Sequence, residues 1–351
     1  MGGRRNQEDL GGDMYQIANE DANNRGELFN RTARRMGVSE TIVEKDFWVC
    51  FLLDLLFHHS QDAMHFCFKG GTSLSKGYGV IRRFSEDIDL ILDWRLLGYS
   101  RDEPWAERTN NQQDHLSEEM GERTNKYLTE VLMPEIDGLA GTYVREQVQL
   151  HVEGNGEQTI CFAYPHLFHD SYVMPEVRLE IGALAAWTPC GDKMVHPYAA
   201  DYYPDLFKQA NTAIRTVEAR RTFWEKATIL HREAHRTDGR LPERYSRHYY
   251  DLYMLSQTPI KEEALEDLAL LKTVVCFNEK FYRSSWARYE DATPEKIRLV
   301  PSDATIAMLA EDYRNMQEML FGDKIPFGTI MQGLGKLESE MHQLDATTGV
   351  V

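Results

Sequence analysis

Two adjacent glycines set the first constraint on this chain. Gly70 and Gly71 stand between a short strand-like run, His65 to Phe68, and a stretch from Thr72 to Val80 that reads as a helix. A strand that turns into a helix within two residues needs backbone freedom that most side chains forbid, and glycine supplies it. A second strand follows at Ile88 to Leu92, where Ile88, Leu90 and Leu92 alternate with acidic residues. Alternation places the apolar side chains on one sheet face and the carboxylates of Asp87 and Asp89 on the other.

The rest of the chain divides by the period of its apolar residues. Residues 1–25 are polar and rich in glycine and asparagine, and read as a flexible N-terminal arm. Val43, Phe47, Cys50, Leu53, Leu56 and Phe57 recur at helical spacing within about Glu27 to Phe57. Residues 106–137 are charged, with Leu116, Met120, Tyr127, Leu128 and Leu132 as a thin stripe, which predicts an amphipathic helix with a break at Gly121. Strands are expected at 143–153, 158–164 and 175–184, with Gly154-Asn155-Gly156 as the hairpin turn between the first two. Beyond Pro189 the strand signals fade, and 215–235, 244–256, 261–279, 303–320 and 327–343 read as helices. The expected class is α+β, with a sheet-bearing domain at 26–190 and an α-helical domain at 191–351.

Charge narrows the partners. The 39 Lys and Arg against 56 Asp and Glu leave a net charge of −17, so the protein repels nucleic acid at long range. An RNA or DNA substrate then needs a local basic patch or metal ions to offset that field. Cys50, Cys67, Cys161, Cys190 and Cys276 are scattered, with no C-x-x-C pair. They read as reduced thiols of a cytoplasmic protein and argue against a structural zinc site. The apolar stretch from Phe47 to Phe57 is interrupted by Asp54 and too short to span a bilayer, so no membrane partner is expected.

The glycine turn and the acidic pair suit phosphate chemistry. Gly70 and Gly71 let the backbone approach a phosphate closely, the helix start offers free N–H groups, and Thr72 or Ser73 adds a hydroxyl. No Walker spacing is present. Asp87 and Asp89, about 6–7 Å apart on one strand face, can bracket a divalent cation. Glu86 points the other way. Glu180 lies on the polar face of the strand Val177 to Gly182 and is the third candidate, as metal ligand or as base. Each feature has a plainer reading, since a Gly-Gly turn is commonly only a turn and a carboxylate on a strand is commonly a solvated edge. In the helical half, Lys226 sits at the edge of the apolar stripe of Phe223, Ala227 and Leu230, where it can snorkel or reach a phosphate. Asp251 can pair with Arg247 four residues away or orient Lys226. The run Phe281-Tyr282-Arg283-Ser284-Ser285-Trp286-Ala287-Arg288-Tyr289 offers stacking faces and cations, or simply a partly buried helix end.

Taken in series, these blocks resemble the AbiEii/AbiGii family of nucleotidyltransferase toxins, within the DNA polymerase β-like nucleotidyltransferase superfamily. The matching runs are Val43-Glu44-Lys45-Asp46-Phe47-Trp48-Val49, Phe68-Lys69-Gly70-Gly71-Thr72-Ser73-Leu74-Ser75-Lys76 and Phe84-Ser85-Glu86-Asp87-Ile88-Asp89-Leu90. Phe223-Trp224-Glu225-Lys226, Arg247-His248-Tyr249-Tyr250-Asp251-Leu252 and Asp312-Tyr313-Arg314-Asn315-Met316 follow in the family's order. The resemblance implies a nucleotidyltransferase-type sheet with flanking helices. It also implies active-site roles for Lys226 and Asp251, with the lysine on the nucleotide phosphates, and a Mg²⁺- or Mn²⁺-dependent reaction using an NTP. It further implies a toxin with a cognate antitoxin, acting in a toxin–antitoxin or phage-defence pair, whose acceptor in some members is a tRNA 3′ end. A protein or small-molecule acceptor, and a non-catalytic nucleotide-binding protein, are the alternatives. The acidic segment at about 98–140 and the N-terminal extension depart from shorter members.

Overall fold

The helix Glu40–Asp54 (α3) is buried on all sides, because it lies between a sheet and the helices that cover it. Three consecutive charged residues are buried with it, and each is answered by two partners from elsewhere in the chain. Glu44 accepts the backbone N–H of Leu167 at 2.8 Å and of Phe168 at 3.3 Å. Lys45 Nζ donates to Glu86 at 2.7 Å and to the carbonyl of Met174 at 3.2 Å. Asp46 accepts from Lys76 Nζ and from the N–H of Tyr198, both at 2.6 Å. Buried charge persists only when it is paired in this way.

The computed structural model describes residues 13–153, 158–170, 173–183, 189–207 and 211–344. The strands are Phe66–Lys69 (β1), Ile88–Leu92 (β2), Gln149–Val152 (β3), Thr159–Ala163 (β4), Glu176–Gly182 (β5), Cys190–Val195 (β6) and Thr212–Val217 (β7), in one seven-stranded sheet of order β3-β4-β5-β2-β1-β7-β6. β1 runs antiparallel to β2 and parallel to β7, and β2 runs parallel to β5. Ile160, Phe162, Val177, Leu179, Ile181 and Leu90 join Trp48 and Phe51 of α3 in the first core. The opposite face of β2 and β5 is left for Asp89 and Glu180.

The other helices before the sheet closes are Asp13–Ala18 (α1), Ala22–Met36 (α2), Gly70–Thr72 (α4, widening into Ser73–Gly77), Asn110–Tyr127 (α5), Met133–Tyr143 (α6) and Tyr198–Tyr202 (α7). The helical half contains Ala219–Ala234 (α8), Ser246–Ser256 (α9), Ile260–Leu265 (α10), Leu268–Phe281 (α11), Asp303–Asn315 (α12) and Phe327–Met341 (α13). A second core unites Phe223, Trp224, Leu230, Leu252, Leu255 and Leu334 of this half with Leu74 and Ile81. The segment after the glycine turn therefore belongs to both halves.

The α+β class is as expected, and several boundaries move. The N-terminal arm does not reach residue 25. α1 buries Met14, Tyr15, Ile17 and Ala18, the Tyr15 hydroxyl donates to Asp54, and Asp21 caps α2. At six residues α1 is too short for its periodicity to register. The sheet also does not stop at residue 190, since β6 and β7 extend it to Val217. β6 is an edge strand with exposed Asp192 and Met194, so it lacks an apolar signature, and β7 runs straight into α8. Gly121 does not break α5, which opens with a Thr109–Gln112 capping box. The helix expected at 261–279 is two helices, parted where Asp267 caps α11. The Gly154-Asn155-Gly156 turn lies outside the described residues. Among those described, no helix is long and apolar enough to cross a membrane.

The Asp46–Lys76 pair gives a direct test of this packing, because both side chains are at most 5% exposed. Asp46→Ala leaves a buried ammonium without its anion and is expected to cost about 3–5 kcal/mol of unfolding free energy. Asp46→Leu combined with Lys76→Met is expected to lose far less. Urea unfolding of the three proteins measures this, and equal losses would remove the pairing argument.

Candidate active site

The site begins where β1 ends. Gly70 has φ +78°, and a Cβ there would lie 1.9 Å from Asp89 Oδ2. A Cβ on Gly71 would lie 2.4 Å from Arg83 Nη2 and 2.8 Å from Ser85 Oγ. The turn is thus threaded between a carboxylate and a guanidinium with no space for a side chain. Thr72 Oγ1 donates to the carbonyl of Asp87 at 2.5 Å, and Ser73 Oγ donates to the carbonyl of Gly70 at 2.8 Å. Both residues are buried. These hydroxyls, read from the sequence as phosphate donors, brace the turn against the start of β2.

Sheet register aligns the charged residues. Asp89 pairs with Lys69 on β1 and with Glu180 on β5, giving one row across three strands. Asp87 enters β2 on the same side, and its carboxyl is pushed up to about 6 by burial and by neighbouring Glu86 and Asp89. Glu180 is pushed up to about 7 by burial and then by Asp89 and Asp87. Asp87 and Glu180 are thus harder to ionise than isolated carboxylates, and a cation among them would favour their ionised forms. Asp87, Asp89 and Glu180 are an all-oxygen set of the kind that suits a hard divalent ion such as Mg²⁺ or Mn²⁺, although their oxygens do not all lie within 4.8 Å of one another, so the three would have to draw together around it. Arg178 stands beside them, with Nε 4.0 Å from Asp87 Oδ1 and 3.8 Å from Glu180 Oε1, while its terminal nitrogens bind Glu153 at 2.6 and 2.7 Å. Glu86 points away, held by Lys45 and by Arg244 at 3.0 Å.

The facing wall comes from α8 and α9. Asp251 is fully buried and receives Arg83 Nε at 2.8 Å, Arg83 Nη2 at 2.9 Å and Lys226 Nζ at 3.0 Å. Burial alone would raise its carboxyl, but the Arg83 and Lys226 cations outweigh that and hold it well below the usual carboxylate range. Burial lowers the Lys226 ammonium, with Asp251 opposing. Lys226 Nζ also meets His248 Nδ1 at 2.9 Å, and burial with the Lys226 charge drives His248 well below its ordinary value, so it serves as a neutral acceptor. Asp312 accepts the N–H groups of Arg244 and Ser246 at 2.8 Å each and fixes the entry to α9. Asp251 therefore takes Arg83 and Lys226 as its partners, across both halves of the chain. Arg247 acts on the site from the same helix, lowering both Glu180 and Lys226 electrostatically.

Sequence reasoning named Asp87, Asp89, Glu180, Lys226 and Asp251 but not Arg83, Lys69, Arg178 or Arg244 as site residues. Lys69 had a readable signal, since it directly precedes the glycine turn and is the cross-strand partner of Asp89. The basic-aromatic run is largely engaged within the fold. Arg283 pairs with Asp114 at 2.6 Å, Arg288 with Asp291, Tyr289 is buried, and Arg236 covers Trp286 at 4.2 Å. Tyr282 stays half-exposed.

Asp251→Ala strands two buried cations and is expected to cost about 3–5 kcal/mol. Asp251→Asn keeps a hydrogen-bond acceptor and is expected to cost clearly less. Denaturant midpoints that do not separate the two variants would contradict this assignment of Asp251.

The sequence model of the nucleotidyl transferase AbiEii toxin, a type IV toxin–antitoxin component, matches residues 54–333. Among solved structures, the nucleotidyltransferase toxin MenT4 from Mycobacterium tuberculosis superposes with a TM-score of 0.49 at 16% identity, over 91% of each chain. JHP933 from Helicobacter pylori gives a TM-score of 0.41 at 14% identity, over 87% of this chain and 94% of that one. No curated protein matches by sequence. The family match takes in the glycine turn, the carboxylate row, Arg83, Lys226 and Asp251, and by it the chain belongs to the AbiEii family of nucleotidyl transferase toxins of type IV toxin–antitoxin systems.

Proposed function

We propose that this toxin transfers a nucleotide from an NTP to an RNA acceptor, the 3′ end of a tRNA, in a divalent-metal-dependent reaction that blocks translation until a cognate antitoxin silences it. The observation that carries the reading is the carboxylate row of Asp87, Asp89 and Glu180 facing the Lys226–Asp251–Arg83 cluster across the glycine turn. Asp87, Asp89 and Glu180 would hold a Mg²⁺ or Mn²⁺, which would supply charge neutralisation at the phosphates and Lewis acidity at the attacking hydroxyl. The N–H groups at the start of the turn at Gly70 and Gly71 receive phosphate oxygens, braced by Thr72 and Ser73. Lys226 neutralises the triphosphate, and Asp251 and His248 hold it in place. Glu180, half-exposed at the rim, accepts the proton of the acceptor hydroxyl. Arg247 acts on the site electrostatically, while Arg178 and Arg244 are each paired with a carboxylate and Lys69 stands opposite Asp89, so in a chain whose net charge is −17 the divalent ion would carry most of the offset an RNA end requires.

Incubation of the protein with Mg²⁺, total RNA and each NTP labelled at the α-phosphate tests this. Label is expected in RNA of tRNA size and is expected to vanish with a chelator. Asp87→Ala, Asp89→Ala and Gly70→Ala are each expected to lower the rate by about 100-fold or more. Label in a protein band or a small molecule with RNA unlabelled would overturn the acceptor, and no transfer at all would overturn the activity.

Metal linkage gives a second test with no acceptor in it. Asp87 and Glu180 are held above their ordinary values, so their own contribution to the stability of the metal-free fold is fully present below the usual carboxylate range and is lost as pH rises through about 6 and about 7. Mg²⁺ binds the ionised forms. The rise in Tm on adding Mg²⁺ is therefore expected to be larger at about pH 8 than at about pH 5, and to disappear in Asp87→Ala combined with Asp89→Ala. A rise independent of pH would count against the carboxylate site.

A further inference from the structure

A second constellation lies on the same sheet face, away from the carboxylate row. His151 on β3 stands directly opposite Cys161 on β4 in the antiparallel register. Glu176, at the start of β5, stands opposite Ala163, two residues along from Cys161. Residues two apart on a strand share a face, and a diagonal neighbour across antiparallel strands is within reach of a long side chain. The small methyl of Ala163 leaves Glu176 room to lean toward the thiol. A ring nitrogen of His151, the sulfur of Cys161 and a carboxylate oxygen of Glu176 all lie within 4.8 Å of one another.

The donor set is specific in its chemistry. A thiolate and an imidazole select borderline and soft transition metals, and Zn²⁺ takes Cys, His and Glu in tetrahedral geometry. Mg²⁺ prefers oxygen alone, so the two sites on this face differ in the ion they suit. Cys161 is buried at the base, Glu176 is partly buried, and His151 is exposed at the edge, which leaves one side open for a water in the fourth position. The cross-strand partner of Cys161 on β5 is Arg178, whose guanidinium pairs with Glu153 and faces Asp87 and Glu180. A cation therefore stands between this cluster and the carboxylate row. β3 is the edge strand of the sheet, joined only to β4, so an ion here would fasten it to β4 and β5 at once.

We propose that His151, Cys161 and Glu176 form a zinc-type transition-metal site that pins edge strand β3 beside the active-site cleft. On binding, the thiol releases its proton to solvent and Cys161 ligates as thiolate.

Cobalt(II) titration of the full chain tests the proposal, with Mg²⁺ in excess to occupy the carboxylate row. The expected result is a thiolate-to-cobalt charge-transfer band in the near ultraviolet with visible d–d absorption, saturating at one ion per chain and displaced by Zn²⁺. Cys161→Ser abolishes the band, whereas Cys190→Ser and Asp87→Ala retain it. His151→Ala and Glu176→Gln weaken cobalt affinity by at least about tenfold, and circular dichroism shows that both remain folded. His151 is exposed, so its variant decides the question even where Cys161→Ser fails to fold. No charge-transfer band in the wild type, a band that survives Cys161→Ser, or unchanged affinity in His151→Ala would each overturn the proposal.

Discussion

Asp251 is a fully buried carboxylate within a helical core, and such a group survives only when its charge is met on all sides. Arg83 meets it bidentately from the segment after the glycine turn, and Lys226 meets it from α8. The two cations come from opposite halves of the chain, so the cluster locks the helical half to the sheet. Its position does more than join them. Arg83 Nη2 lies against Gly71, and Asp89 Oδ2 lies against Gly70, so the conformation of the turn, the placement of the acidic row and the location of Lys226 are set by the same contacts. A change at any one of them moves the others.

The helix α3 backs this assembly from the far side of the sheet. Its charged triplet anchors separate segments of the chain, and Lys45 has the most direct consequence for the site. Lys45 and Arg244 hold Glu86 away from its neighbours, which leaves Asp87 and Asp89 as the acidic pair on the site face. This accounts for the buried charged run Glu44-Lys45-Asp46 in a helix whose other buried residues are almost all apolar. Hydrophobic burial stabilises the fold, and these ion pairs fix which of several similar packings it adopts.

Much of this arrangement was legible in the sequence, for reasons particular to each residue. Period-2 alternation placed β2 and β5 and put Asp87, Asp89 and Glu180 on their polar faces before any register was known. The glycine pair marked the turn because only glycine fits both a positive φ and two close approaches. Spacing did not find Arg83, because an arginine before a short coil has no periodicity, and its partner lies far along the chain. Arg178 and Lys69 depend on cross-strand register, which a sequence does not state. Edge strand β6 was missed because it carries too few apolar residues for a period to emerge, and α1, at six residues, is too short for its period to separate it from the polar arm. The grouping of His151, Cys161 and Glu176 depends on three strands pairing in one order, and scattered cysteines gave no hint of it.

The central claim is that Asp251 serves the proposed nucleotide site through the cations it holds, above all Lys226, so that they form one unit with the turn. A double-mutant cycle read by affinity for a Mg²⁺–NTP analogue tests it most directly, using Lys226→Met, Asp251→Asn and the pair. The account predicts that the double variant binds no more weakly than Lys226→Met alone, a coupling of at least about 1 kcal/mol. Losses that add independently would contradict it.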